Sequence, residues 1–104
     1  MVLVFDEVDT GIGGGVAERV GRSLVELAEQ HQVLCITHLP QIAVFADVHF
    51  QVHKRECKGR TLARVERIQG DERIDEIARM AGGESVSSDT RRHAEALMRA
   101  KPPA

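Results

Sequence analysis

Two acidic residues, Asp6 and Glu7, directly follow an apolar run at residues 2–5. Successive side chains of a strand point to opposite faces, so the two carboxylates are expected to have different roles. At the end of a strand, one carboxylate can hold a magnesium-bound water while the other meets an attacking water. This division suits phosphoryl transfer, in which catalysis consists mostly of positioning and charge neutralisation. The alternative is a strand that simply ends at the surface.

A second apolar run, at residues 33–36, ends in Thr37 and His38. An imidazole at this position can donate a hydrogen bond to a phosphate oxygen, although a loop histidine satisfied by the backbone is the alternative. Thr37 is less specific, because a threonine at a strand end often only caps the following turn.

The elements that must position these groups predict an α/β fold. The two apolar runs are typical of buried parallel strands, and an apolar stripe between them predicts an amphipathic helix over residues 16–30. This order predicts a right-handed βαβ unit, followed by a short helix over residues 40–46 that starts with Pro40.

The second half of the chain predicts a hairpin and two helices. Alternating residues predict a half-solvated strand at 48–53, followed by a polar turn at 55–59 and a second, less regular strand at 61–68. We expect Asp71 to cap the next helix, Gly82 and Gly83 to end it, and Ser88 or Asp89 to cap the last one. Residues 101–104 are expected to be a frayed tail.

Composition limits the classes of protein to consider. The 104 residues are 42% hydrophobic with a formal net charge of -2, which fits one globular domain and gives no global sign of polyanion binding. No apolar stretch approaches the roughly 20 residues that span a membrane, and no signal peptide is apparent. Cys35 and Cys57 form no C-x-x-C pair, so a reduced, cytoplasmic chain is expected.

Three segments together resemble the C-terminal end of the RecN family, bacterial DNA repair ATPases related to SMC and ABC proteins. They are F-D-E-V-D-T-G-I-G-G at residues 5–14, I-T-H-L-P-Q at 36–41 and I-A-R-M at 77–80. The resemblance implies that residues 1–100 form the C-terminal lobe of an SMC/ABC-type ATPase head. Such a lobe is part of a P-loop NTPase, with a mostly parallel sheet, flanking helices and an added antiparallel hairpin.

The same resemblance implies roles for individual residues. Residues 2–6 would be the Walker B strand, with Asp6 supporting magnesium through water and Glu7 acting as the catalytic base. Asp9 would belong to the D-loop that meets the opposite head, His38 would be the switch histidine, and Thr37 would join Asp6 and Asp9 in nucleotide binding. ATP and Mg²⁺, an ATP-dependent head dimer, and action on DNA double-strand breaks at the bacterial nucleoid are implied with them.

The family's Walker A loop, Q-loop, coiled-coil arms and signature segment precede Walker B, whereas this chain starts at Met1. We therefore expect an upstream half of the same head, and we predict that this chain alone does not hydrolyse ATP. Gly82-Gly83-Glu84-Ser85 resembles a signature fragment but is expected to be a helix-ending turn. The alternative hypothesis is a non-catalytic docking module that binds the rest of its protein.

Four further patterns suggest other functions. The glycines at 11–15 are a poor dinucleotide fingerprint, because acidic residues intervene between them and the strand. A D-E-x-D helicase is a weaker alternative, since those proteins have a Ser-Ala-Thr-like segment where this chain has Ile36-Thr37-His38.

The predicted hairpin carries two of these patterns. On a strand, His49 and His53 would lie roughly 13 Å apart, too far to share one metal ion with each other or with Cys57, so a solvated face is expected. The basic tip, with Lys54, Arg55, Lys58 and Arg60, is interpreted as a solvated turn in preference to a phosphate contact, because it has no aromatic residue to stack on a base.

Overall fold

The computed structural model describes residues 1–6, 13–82 and 87–100 of the chain. Its elements follow in the order β1 (Val2–Asp6), α1 (Gly14–Ala28), β2 (Gln32–Ile36), α2 (Pro40–Ala43), β3 (His49–Cys57), β4 (Arg60–Ile68), α3 (Asp71–Gly82) and α4 (Ser88–Ala100). The predicted α/β class is confirmed. The Gly-rich segment at residues 9–15 was expected to be a flexible turn: its residues 9–12 lie outside the described residues, and Gly14 and Gly15 instead begin α1. Gly83, Glu84, Ser85 and the tail at 101–104 also lie outside the described residues.

The two strands that carry the acidic and Thr-His motifs form a parallel pair, as predicted. Val2 pairs with Gln32 and Asp6 with Ile36, so the two carboxyl ends lie side by side. Exposure alternates along both strands, which means that one face of the pair is half-buried and the other is open. The pair is therefore covered on one face only within the described residues.

Helix α1 runs over residues 14–28, two residues earlier at each end than its apolar stripe predicted. It packs closely against the segment after α2, because a Cβ atom built on Gly21 would lie 2.6 Å from Cε2 of Phe45 and closer still to Cδ2. Phe45 is buried, so its ring has little room to move. Only glycine leaves space for this approach.

The hydrophobic core lies among α2, α3 and α4, away from the parallel strands. Its buried members are aliphatic apart from one phenylalanine: Ala43, Val44, Phe45, Ile77, Ala78 and Ala94. Helix α2 spans only residues 40–43, and Val44, Phe45 and Ala46 continue it as hydrogen-bonded turns rather than as the longer helix that was predicted. Burial of these apolar residues fixes α2 against α3.

The hairpin is longer than predicted and forms a sheet of its own. β3 and β4 are nine residues each and pair from His49–Ile68 to Cys57–Arg60, separately from the parallel pair. The predicted turn at 55–59 was wrong, because only Lys58 and Gly59 form the turn. Both have positive φ, 52° and 76°, which suits the two central positions of a tight hairpin turn.

The predicted helix caps were also partly wrong. Asp71 is the first residue of α3 rather than the residue before it, and its Oδ1 accepts from Nη2 of Arg91 at 2.9 Å. Ser87, rather than Ser88 or Asp89, caps α4: its Oγ accepts from the N–H of Thr90 at 3.2 Å, and Thr90 Oγ1 accepts from the N–H of Ser87. Among the described residues, no helix is long and apolar enough to cross a membrane.

Candidate functional site

The candidate site is the carboxyl edge of the parallel pair. Asp6 ends β1 and is the register partner of Ile36, the last residue of β2. Because neighbouring strands lie about 4.8 Å apart, the carboxylate of Asp6 and the segment that begins with Thr37 share one edge of the sheet. The side chains of Asp6 and His38 are exposed there, and Thr37 is half-buried. The register thus places Asp6 at the same sheet edge as the segment that carries Thr37 and His38.

Thr37 shapes the turn that presents His38. Its Oγ1 accepts a hydrogen bond from the backbone N–H of Leu39 at 3.0 Å. This side-chain turn replaces a backbone hydrogen bond and directs the chain into α2, where Pro40 occupies the first turn. The expectation that a threonine here caps a turn is met.

Arg73 of α3 holds the far end of α2. Its Nη2 donates to the backbone carbonyls of Ala43, Val44 and Ala46 at 3.2, 3.4 and 2.7 Å. These are carbonyls at the C-terminal end of a helix, where a positive charge is favourable. Burial lowers the pKa of Arg73, and the nearby carboxylate of Asp47 opposes that effect. Through this contact α3 fixes the segment that follows His38.

A buried carboxylate joins the hairpin to α3. Oε2 of Glu76 accepts from Nε2 of Gln51 at 2.5 Å and from Nε of Arg79 at 2.9 Å, and Arg79 Nη2 also donates to Oε1. The hydrogen bond to Glu76 raises the pKa of Arg79. The base of the hairpin is therefore tied to the helix that also holds α2.

The prediction of a solvated face at His49 was wrong. His49 is half-buried at the base of the hairpin, and burial, followed by the charge of Arg73, lowers its pKa, while Glu76 acts in the opposite direction. His53 is more exposed and lies 3.4 Å from Glu66, measured from Nε2 to Oε2. The described part of the chain brings together no group of three His, Cys, Asp or Glu side chains suited to a metal ion.

Two predicted site residues, Glu7 and Asp9, lie outside the described residues. Conversely, the roles of Arg73 and Glu76 were not predicted from the sequence. Both sit on α3 among charged residues of ordinary helical spacing, and nothing local distinguishes them from solvated side chains. Gln51, which donates to Glu76, and the carbonyls that Arg73 contacts lie about 25 to 30 positions away in the sequence, so only the fold identifies these contacts.

No protein-family model matches the chain. It is, however, similar to curated proteins named DNA repair protein RecN: 48% identical over 96 residues in Mycobacterium leprae, 51% over 87 in Xylella fastidiosa strain 9a5c, and 43% over 97 in Bacillus subtilis. These alignments cover 92%, 84% and 93% of this chain but only 16%, 16% and 17% of the relatives.

A solved structure shows the same fold. It comes from work on the ATP-driven dimerisation and DNA-stimulated activation of SMC ATPases, and it aligns with a TM-score of 0.62 at 15% identity over 81% of this chain and 50% of that one. The fold agrees with the predicted ATPase-head lobe. The sequence identities to the curated relatives go further, and they show that this chain belongs to the RecN family and corresponds to its C-terminal portion.

Proposed function

We propose that this chain is the C-terminal lobe of the ATPase head of a RecN-type DNA repair protein, and that it supplies Walker B, the D-loop and the switch histidine. The observation that carries the proposal is the register of the parallel pair, in which Asp6 lies beside Ile36 and hence beside Thr37 and His38. An acidic strand end and a histidine at one sheet edge can act on the two sides of one phosphate group.

Asp6 fits a magnesium-supporting role. Mg²⁺ is usually held by one or two carboxylates together with waters and substrate phosphates, so a single exposed carboxylate at a strand end is a suitable protein contribution. When bound with ATP, the ion neutralises charge on the phosphates. Asp6 would accept hydrogen bonds from waters of that ion, which fixes their position at the sheet edge.

Glu7 and Asp9 are assigned by their place in the sequence. Glu7 follows Asp6 directly, and as a general base it would accept a hydrogen bond from the attacking water and then its proton. Asp9, two residues further along, would contact the opposite head across an ATP-dependent dimer. The roles differ: loss of Glu7 removes hydrolysis, while loss of Asp9 weakens association of the heads.

His38 and Thr37 complete the proposed site. The imidazole of His38 would donate a hydrogen bond to a γ-phosphate oxygen, and Thr37, whose Oγ1 accepts from the N–H of Leu39, would position it. The contacts of Arg73 with the end of α2 support this arrangement by holding the segment behind His38 in place.

An open apolar face supports an upstream half of the same head as partner. Val2, Val4, Leu34 and Ile36 lie on one face of the parallel pair and are 61%, 61%, 50% and 53% exposed. Parallel sheets are normally covered on both faces, so a further layer is expected here. The relatives are about six times longer than their match to this chain and can supply that layer.

This open face also supports the second candidate, a docking module without activity of its own. The two are compatible, because an isolated lobe without Walker A would dock and stay inactive until completed. Family membership gives no support to the helicase alternative. By the same membership we propose DNA as a partner of the whole protein, with action in the bacterial cytoplasm at the nucleoid.

The test is Glu7→Gln in a full-length RecN whose C-terminal segment is this chain. Glutamine keeps the shape of glutamate but cannot take a proton, so ATP binding should be retained while turnover falls by 10²-fold or more. Glu29→Gln is the matched control, since Glu29 follows α1 at the opposite edge of the sheet and is exposed. Normal turnover in Glu7→Gln would remove Glu7 as the base.

A further inference from the structure

The β3–β4 hairpin is a projecting two-stranded ribbon, and this changes the interpretation of its basic residues. Beyond its tie to α3 at Gln51, β3 continues for six more residues to Cys57, roughly 20 Å at the usual rise per residue. Arg55 and Arg60 therefore belong to regular strands and not to a solvated turn. Their side chains have defined directions.

Two of these arginines share one face of the ribbon. Arg55 pairs with Leu62 and Cys57 with Arg60, so Arg55 and Arg60 are diagonal cross-strand neighbours. Such neighbours have Cα atoms about 7–8 Å apart on the same face. Lys58, in the turn, adds a third positive charge beside them.

The distal half of the ribbon carries uncompensated positive charge. Residues 54–60 contain four Lys and Arg but one acidic residue, Glu56, in a chain whose formal net charge is -2. Lys54, Arg55, Lys58 and Arg60 are exposed, and none of them forms an ion pair within the described residues. Arg64, by contrast, forms an ion pair with Glu66 at 2.8 Å, so its positive charge is compensated.

We propose that the distal half of this hairpin contacts the phosphates of double-stranded DNA, chiefly through Arg55, Lys58 and Arg60. A two-stranded ribbon fits the roughly 12 Å wide major groove, and exposed arginines pair well with phosphates. The distal half has no Phe, Tyr or Trp, the side chains on which unpaired bases stack, so duplex is favoured over single strands. The inference rests on the proposed function in taking DNA as the partner.

The contact is expected to be independent of sequence. Neutralised phosphates release counterions, so each one contributes about 0.9 to the slope of log affinity against log salt. Removing two arginine contacts should lower that slope by about 1.8. Between 50 and 200 mM salt, the affinity of the unmodified protein should then fall roughly 12-fold more than that of the variant.

The experiment compares Arg55→Gln/Arg60→Gln with Arg92→Gln/Arg99→Gln in a full-length RecN whose C-terminal segment is this chain. Arg92 and Arg99 are exposed on α4, so the control pair removes the same charge elsewhere. Binding of a random-sequence 30-base-pair duplex and of the matching single strand is measured from 50 to 200 mM salt. Thermal unfolding confirms that both variants fold.

The expected result is a slope lower by about 1.8 on duplex for the hairpin variant alone, with a smaller change on the single strand. An unchanged slope, or an equal decrease in the control pair, would overturn the hairpin contact while leaving the proposed function intact. An equal loss on the single strand would overturn the preference for duplex. Failure of the unmodified protein to bind duplex at 50 mM salt would instead contradict DNA as a partner.

Discussion

The close approach of α1 to Phe45 gives the sharpest stability prediction. In Gly21→Ala, the new Cβ would lie 2.6 Å from Cε2 of a buried ring, so the ring or the helix must move. Overpacking of this kind costs about 1–3 kcal/mol. The substitution also brings a gain, because alanine in a helix interior is about 0.5–1 kcal/mol better than glycine.

Gly15→Ala in the same helix separates the two effects. A Cβ on Gly15 meets nothing within 4 Å, so only the helix propensity changes, by at most about 0.5 kcal/mol so near the helix start. Gly21→Ala should therefore be less stable than Gly15→Ala by about 0.5–2.5 kcal/mol, which is the overpacking cost less the roughly 0.5 kcal/mol by which its gain in helix propensity is larger. In a chain of about 100 residues, each kcal/mol lowers the melting temperature by about 4–8 °C.

Urea unfolding followed by circular dichroism measures this difference. The midpoint of Gly21→Ala should fall below that of Gly15→Ala with an unchanged m-value, which indicates a change in stability and not in the extent of unfolding. Equal urea midpoints for the two variants would mean that the ring of Phe45 moves aside at little cost in free energy. The packing of α1 against Phe45, which holds the segment after His38, would then be looser than the close approach at Gly21 implies.

Two further predictions concern the proposed site and the base of the hairpin. Asp9→Ala in a full-length RecN carrying this chain should weaken ATP-dependent dimerisation, measured by light scattering, while an unchanged dimer would count against the interface role. Burial lowers the pKa of His49 below 6.5, so the unfolded chain binds a proton at this imidazole before the folded chain does as the pH falls. The part of the stability that depends on neutral His49 is therefore present above pH 6.5 and lost below it. His49→Gln should flatten that decline in urea midpoints between pH 7 and 5, whereas the half-exposed control His53→Gln should retain it; equal declines in both would exclude His49 as the source.

Apolar runs and their spacing predicted the part of the fold that depends on local pattern. The structure contains the two predicted parallel strands, the amphipathic helix between them and the hairpin. The pairing of the two strands, which the prediction of a βαβ unit did not specify, places Asp6 and the segment with His38 at one edge, since the carboxyl ends of adjacent parallel strands meet. The assignment of roles at that edge came from the family resemblance and stays a proposal for each residue.

Features decided by distant contacts were missed. Polar residues at 53–57 have little strand propensity, yet pairing with β4 extends β3 to Cys57. Likewise, nothing near Glu76 in sequence indicates a buried carboxylate, because its stabilising partner Gln51 lies on another element. The cap of α4 was predicted wrongly for a different reason. Ser87, Ser88 and Asp89 are all suitable residue types, and only the backbone conformation decides which one caps the helix.

We propose that this chain completes an ATPase head through the side chains of Asp6, Glu7 and His38. The decisive measurement is ATP hydrolysis by the chain alone, by the separately produced upstream half of a RecN protein, and by the two mixed. We expect no ATP turnover from either part alone, association of the two parts on mixing, and turnover by the mixture that disappears when the chain carries Glu7→Gln. Turnover by the chain alone, or a mixture that associates but stays inactive, would contradict the proposed function, and the second result would favour the docking module.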